Sequence, residues 1–239
     1  METKLHLAHY EQDGVAYDGA LVLPEGAKEP IPGVLVFHGW EGRSDGQEEF
    51  AHKLADLGYG AFCVDLYGSG QRGSTPQECE ALMTPLISDR ARLRQRLLHV
   101  VEVAKGRPEL DNGRLAAVGF CFGGLCVLDL ARAGADLKGV VSFHGLFTPP
   151  GLPISNPMHT KVVAYHGWDD PMVPPADVTA LGAELTAAQA DWQIHAFGGA
   201  MHAFMAPGAN SPEMGIQYHA RTAHRAWTGA AGFLGEVLA

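Results

Sequence analysis

Apolar and polar positions alternate along the first two dozen residues: Leu5 and Leu7, then Val15 and Tyr17, with Leu21, Val22 and Leu23 following. A period of two predicts strands, and Asp13-Gly14 between the two stretches supplies the turn chemistry of an antiparallel hairpin. Beyond Pro30 and Pro32 the pattern becomes a continuous apolar run, Val34-Leu35-Val36-Phe37. A strand apolar on both faces is expected in the middle of a sheet, with helices covering each side. It ends in the loop His38-Gly39-Trp40-Glu41-Gly42.

The same alternation of strand and helix then recurs. Helical spacing from about 47 to 57 stops at Gly58, and Ala61-Phe62-Cys63-Val64 forms a second buried strand leading into Gly68-Ser69-Gly70. A long helical stretch from about 76 to 105 follows, with an interruption expected at Pro85. Further strands are predicted at 115–118, 139–143, 162–165 and 192–197. Helices are predicted at 125–133 and 176–190, and from Pro212 to the end. Strands alternating with helices predict an α/β fold with a mostly parallel central sheet, helices on both faces and an antiparallel N-terminal hairpin. Nothing resembling a linker divides residues 1–239, so one domain is expected. Chemistry in such a sheet sits in loops at the carboxyl ends of the strands.

The formal net charge is −10, which disfavours nucleic-acid phosphates and anionic membranes as partners and leaves a small-molecule substrate as the expected one. The start Met1-Glu2-Thr3-Lys4 lacks the basic and apolar regions of a signal peptide. No apolar run approaches the ~20 residues that span a bilayer. The four cysteines match no zinc spacing, and reduced thiols in a cytoplasmic setting are expected. Nothing in the sequence specifies an oligomer.

The strongest chemical signal is Gly119-Phe120-Cys121-Phe122-Gly123-Gly124, placed after a predicted strand and before a predicted helix. That is the context of the G-x-S-x-G nucleophile elbow, here with cysteine in the serine position. The turn is tight enough that side chains at Gly119 and Gly123 would collide, and the following helix points its positive end at the sulfur. A nucleophile of this kind needs a base and an orienting carboxylate. Gly167-Trp168-Asp169-Asp170-Pro171-Met172-Val173-Pro174 and Gly199-Ala200-Met201-His202-Ala203-Phe204 follow in the order acid, then histidine, each in a loop at the end of a predicted strand.

These segments resemble the dienelactone hydrolase family of α/β-hydrolases, from roughly Ile31 to Phe204. Gly119 to Gly124 matches its cysteine elbow, Gly167 to Pro174 its G-x-x-D-x-x-V-P acid loop, Gly199 to Phe204 its histidine loop and Asp65-Leu66-Tyr67 its second strand end. The resemblance implies an α/β-hydrolase fold and a catalytic triad of Cys121, His202 and Asp170, with Asp169 left as a turn residue. It also implies an oxyanion hole made by the backbone N–H groups of Phe122 and Trp40, each worth roughly 3 kcal/mol in the transition state. Where dienelactone-cleaving members carry a glutamate that interacts with the cysteine, this sequence has Gly39, leaving His38 or Glu41 as accessory candidates. Where they carry two arginines that hold the substrate carboxylate, it has Ser69 and Ala206, with Arg72 near the first. Loss of both clamps predicts poor use of an anionic lactone.

Aromatic residues at the loop ends, Phe143, Trp168 and Phe204 among them, are expected to line a neutral, apolar pocket, with Ser69 and Arg72 at its rim. Neutral aryl or short acyl esters and lactones are then the expected substrates, and organophosphate triesters a promiscuous extension. A thioesterase, an acyltransferase or a catalytically silent small-molecule receptor are the alternatives. His38, His144, His166 and His202 end different predicted strands, but no metal-ligand run accompanies them, so neither metal nor cofactor is expected. Cys63 and Cys126 read as packing residues.

Overall fold

The predicted hairpin is present in the computed structural model, which describes residues 2–28 and 30–239. Strand β1 (Thr3–Gln12) pairs antiparallel with β2 (Val15–Pro24), and the turn residues Asp13 and Gly14 take φ of 53° and 76°. Positive φ at both central positions matches the twist that a two-residue hairpin requires.

The remaining elements are β3 (Ile31–Phe37), α1 (Asp45–Asp56), β4 (Gly60–Cys63), α2 (Pro76–Ile87), α3 (Arg90–Lys105), β5 (Leu110–Phe120), α4 (Phe122–Arg132), β6 (Gly139–Phe143), β7 (Lys161–Gly167), α5 (Pro175–Ala187), β8 (Trp192–Phe197), β9 (Asn210–Ser211), β10 (Ile216–Gln217) and α6 (Ala220–Val237). Eight strands form one sheet in the order β1-β2-β4-β3-β5-β6-β7-β8. The pairs from β4 through β8 are parallel, and the hairpin joins antiparallel through β2 and β4.

Alternation inside the central strands divides the core in two. Leu35, Phe62, Ala117, Val140 and Val162 point to one side, where α3, α4 and α5 supply Leu97, Leu125 and Leu181. Val34, Val36, Ala61, Val118, Val141 and Val163 point to the other, against Phe50 and Leu54 of α1 and Ala226, Ala230 and Leu234 of α6. The continuous apolar runs therefore arise because both faces of each strand are covered.

Two predicted helices are bounded differently. The stretch from 76 to 105 breaks at Ser88-Asp89 and not at Pro85, which stays inside α2. Asp89 accepts from the Arg92 N–H and restarts the chain as the N-cap of α3. The final helix does not begin at Pro212. Residues Pro212–Met214 form a 3₁₀ turn between β9 and β10, Gly215 takes a left-handed φ of 73°, and the helix starts at Ala220 with His219 as its cap. No helix among the described residues is long and apolar enough to cross a membrane.

A buried ionic network braces the helical layer beneath β5 and β6. Arg132, 1% exposed, bonds Glu184 of α5, Asp129 of its own helix and the Phe147 carbonyl, while Arg90 of α3 bonds both oxygens of Asp129. The arginine pair thus ties α3, α4 and α5 to the loop after β6, and α4 is the helix whose N-cap is Cys121.

Candidate active site

Cys121 sits between β5 and α4 with φ 53° and ψ −113°, a left-handed conformation that L residues avoid and that tight functional turns hold by force. The surroundings enforce it. A Cβ on Gly119 would lie 2.1 Å from the Gly123 carbonyl oxygen, and one on Gly123 would lie 2.4 Å from the Phe37 oxygen. Both glycines are needed because backbone meets backbone there. The Cys121 N–H donates to the Phe143 carbonyl at 3.1 Å, fixing the elbow to the end of β6.

His202 and Asp170, buried in loops after β8 and β7, meet as the sequence order predicts. His202 Nδ1 lies 2.7 Å from Asp170 Oδ2, and Asp170 Oδ1 accepts from the Met172 N–H at 2.8 Å. Burial works against a charge on His202, but the Asp170 carboxylate and the Cys121 sulfur outweigh it and push the imidazole up to about 10. The sulfur is close enough for the two groups to feel each other's charge, though no aligned hydrogen bond joins it to Nε2 in this geometry. Asp169 is exposed on the same loop.

The two residues implied as oxyanion donors lie at the start of α4 and in the loop after β3. Phe122 opens α4, where a first-turn N–H has no acceptor in its own helix. Trp40 lies in the loop after β3. Tyr67, in the loop after β4, touches both residues: its hydroxyl donates to the Trp40 carbonyl at 2.9 Å, and its ring stacks on Phe122 at 6.2 Å. In the sequence Tyr67 belongs only to a strand-end motif, since its contact with two separate loops has no sequence signature.

Other candidates are placed differently. His38 is fully committed: Nδ1 meets the Gly39 carbonyl at 2.6 Å and Nε2 accepts from the Leu66 N–H at 3.1 Å, so the ring pins the ends of β3 and β4 together and has no nitrogen left for the cysteine. Burial lowers its pKa. Glu41 folds back over its own loop, its carboxylate occupying the space a Cβ on Gly39 would take, and burial raises its pKa. No hydrogen bond joins it to Cys121 among the described residues.

Phe143 and Phe204 do not line an open pocket. Both are 0% exposed, Phe143 stacked between Phe120 and Tyr165 and Phe204 edge-on to His144, because their side chains point into the α6 side of the core. Ser69 is exposed beside β2, to which its N–H donates through the Ala16 carbonyl at 3.0 Å. Arg72 bonds the Arg43 carbonyl and Asp45, which engage its guanidinium. Trp168, 44% exposed on the acid loop, remains available to a substrate. An apolar groove of about 680 Å³ between α5 and β8 lies three strands from β5 and takes no part in this cluster.

The other cysteines are poor nucleophiles. Burial raises the thiols of Cys63, Cys126 and Cys79. Cys121 alone combines partial exposure, a helix start and an adjacent base.

The loop carrying His202 is held by a strap that the sequence did not predict. The His202 N–H donates to the Gly215 carbonyl at 2.8 Å and the Gln217 N–H returns to the His202 carbonyl at 3.0 Å. Strand-like pairing of His202 with Ile216 completes it.

Comparison with known proteins gives a consistent picture. The model of the dienelactone hydrolase family matches residues 17–238. The crystal structure of a dienelactone hydrolase-like promiscuous phosphotriesterase from metagenomic libraries superposes over 99% of each chain, with 32% identity and a TM-score of 0.94. An uncharacterized protein of Caenorhabditis elegans is 36% identical over 158 residues, which are 64% of this chain and 100% of that protein. A protein of Aquifex aeolicus, provisionally named a carboxymethylenebutenolidase, is 28% identical over 97% of this chain and 98% of its own length.

Proposed function

The chain belongs to the dienelactone hydrolase family and is a hydrolase, and from that premise we propose that it cleaves small neutral esters and lactones through a covalent intermediate on Cys121. The observation that carries this reading is the 2.7 Å contact between His202 and Asp170 set beside a cysteine in a strained elbow. His202 holds the proton taken from the thiol, and the sulfur attacks the carbonyl carbon. The N–H groups of Phe122 and Trp40 bond the developing oxyanion. Imidazolium then protonates the leaving alcohol or phenol, and water activated by His202 hydrolyses the thioester.

The preference for neutral substrates rests on charge. Ser69 and Ala206 cannot supply the guanidinium pair that an anionic lactone needs, Arg72 is turned to Asp45, and the net charge of −10 repels anions. Four unpaired cysteines suit a reducing, cytoplasmic setting. A panel pairing neutral aryl acetates with carboxylate-bearing lactones tests this reading. A kcat/KM at least tenfold higher for the neutral members is expected, and preference for the anionic lactone would contradict it.

Neutral organophosphate triesters form a second substrate class, favoured by the activity named for the metagenomic neighbour. A phosphorus centre attacked by Cys121 presents its own oxyanion to the same donors. Release of phenol from an aryl dialkyl phosphate should survive a chelator and vanish in Cys121→Ala; loss of the activity on chelation would overturn this extension.

A further inference from the structure

The second half of this cycle requires a water molecule held in line with the acyl carbon. His202 Nε2 accepts that water's proton, but a bound water needs two or more polar partners to be held in one place. The oxyanion donors are occupied by the carbonyl oxygen, and His202 Nδ1 is occupied by Asp170.

His144 is placed to supply the second partner. It follows β6, directly after the residue whose carbonyl receives the Cys121 N–H, and its ring centroid lies 5.2 Å from that of His202. The side chain is 2% exposed, as His202 is, and neither of its nitrogens has a hydrogen-bond partner among the described residues. His202 Nε2 also lacks an aligned hydrogen bond and has only the Cys121 sulfur near it, so the two rings set unpaired nitrogens side by side next to the catalytic pair. Two hydrogen bonds of about 2.8 Å meeting at one water set the bonded nitrogens about 4.5 Å apart, a separation that nitrogens on neighbouring rings with centroids 5.2 Å apart can present. The backbone adds a second indication. His144 has φ +37°, a left-handed conformation with no glycine to ease it, of the kind that persists where function requires it.

His166 shares the burial and the unpartnered nitrogens and feels the charges of Asp170 and His202, but its ring packs against Phe147 and has no ring contact with His202. Burial and the neighbouring His202 keep His144 neutral, so it can anchor water without adding a second positive charge to the site.

We propose that His144 anchors the hydrolytic water for breakdown of the Cys121 thioester, sharing it with His202. The inference rests on the covalent reading above. In the step itself, the water oxygen bonds to the acyl carbon and one water proton passes to His202 Nε2. The carbon–sulfur bond then breaks, releasing the carboxylic acid and leaving the sulfur as thiolate beside the imidazolium. His144 orients the water and exchanges no proton.

The experiment is rapid-mixing kinetics with p-nitrophenyl acetate on wild type, His144→Phe and His144→Asn. Phenylalanine keeps the ring and its packing but removes both nitrogens; asparagine keeps a hydrogen-bonding group and tolerates left-handed backbone. In His144→Phe the burst of nitrophenol is expected within about twofold of wild type in rate, while steady-state turnover falls at least tenfold and acetyl-enzyme accumulates. Hydroxylamine, a stronger nucleophile than water, should restore much of that turnover. His144→Asn should retain more turnover than His144→Phe, which also serves if the phenylalanine variant does not fold. Equal loss of burst rate and turnover in both variants, or turnover in His144→Phe within twofold of wild type, overturns the proposal. Absence of any burst or adduct in wild type would instead overturn the covalent reading, and this inference with it.

Discussion

Pro171 and Gly215 touch so closely that a Cβ on the glycine would lie 2.2 Å from Pro171 Cγ. The contact joins the acid loop to the strap that holds His202. Gly215 also has φ 73°, so any side chain there meets both a clash and an unfavourable backbone. Gly215→Ala is expected to loosen the His202–Asp170 pair, lowering kcat about tenfold or more, because displacements near 1 Å can cost 10²-fold. Pro171→Ala in the same chain should recover part of the loss by removing the clash. A kcat unchanged in the single variant would show that the strap does not position the histidine.

Tyr67 offers a gentler test of the oxyanion donors. Tyr67→Phe keeps the ring on Phe122 but loses the hydrogen bond to the Trp40 carbonyl. One neutral hydrogen bond is worth about 1 kcal/mol, so a kcat lower by roughly fivefold is expected, with KM little changed. Steady-state kinetics on a neutral aryl acetate would separate the two parameters.

Asp170→Asn tests the electrostatics. The change keeps shape but removes the charge that, with the sulfur, overcomes burial and raises His202. A loss of activity approaching the ~10⁴-fold known for such a change in a serine triad is expected. A linked effect appears in stability. A histidine raised in the folded state contributes stability that is fully present below its unfolded value near 6.5 and is lost as pH rises through about 10. Thermal unfolding of wild type should therefore lose this contribution between those pH values. The Asp170→Asn protein should show a smaller decline over the same window.

Arg132 governs stability without touching the reacting groups. Arg132→Met removes one partner of a buried network and leaves Glu184 without the guanidinium that bonds both its oxygens, while Asp129 keeps Arg90. Breaking a buried pair on one side costs about 3–5 kcal/mol. Urea unfolding monitored by circular dichroism should report a destabilisation of that order.

How much of this was legible in the sequence depended on the kind of signal. Buried strands such as Val34–Phe37 announced themselves because both faces are apolar, and the elbow did so because Gly119 and Gly123 are required by backbone contact. Asp170 and His202 were found from order and spacing in loops. The fate of Phe143 and Phe204 was not legible: an aromatic residue at a strand end looks the same whether it points to the core or to a cleft. Residues 212–217 of the strap carry a helical expectation, although Pro212 and Gly215 supply turn chemistry, because the short strands at 210–211 and 216–217 exist only through pairing. His38 looks like an accessory to the cysteine in sequence because its two backbone partners, the Gly39 carbonyl and the Leu66 N–H, leave no sequence signature.

The most direct measurement is intact-protein and peptide mass spectrometry after rapid quenching with p-nitrophenyl acetate, on wild type and Cys121→Ala. The account predicts one acetyl group per chain on the peptide containing Cys121, appearing with the phenol burst, and neither adduct nor hydrolysis above background in the variant. Hydrolysis by Cys121→Ala at the wild-type rate, with no adduct on Cys121 in the wild-type protein, would contradict it.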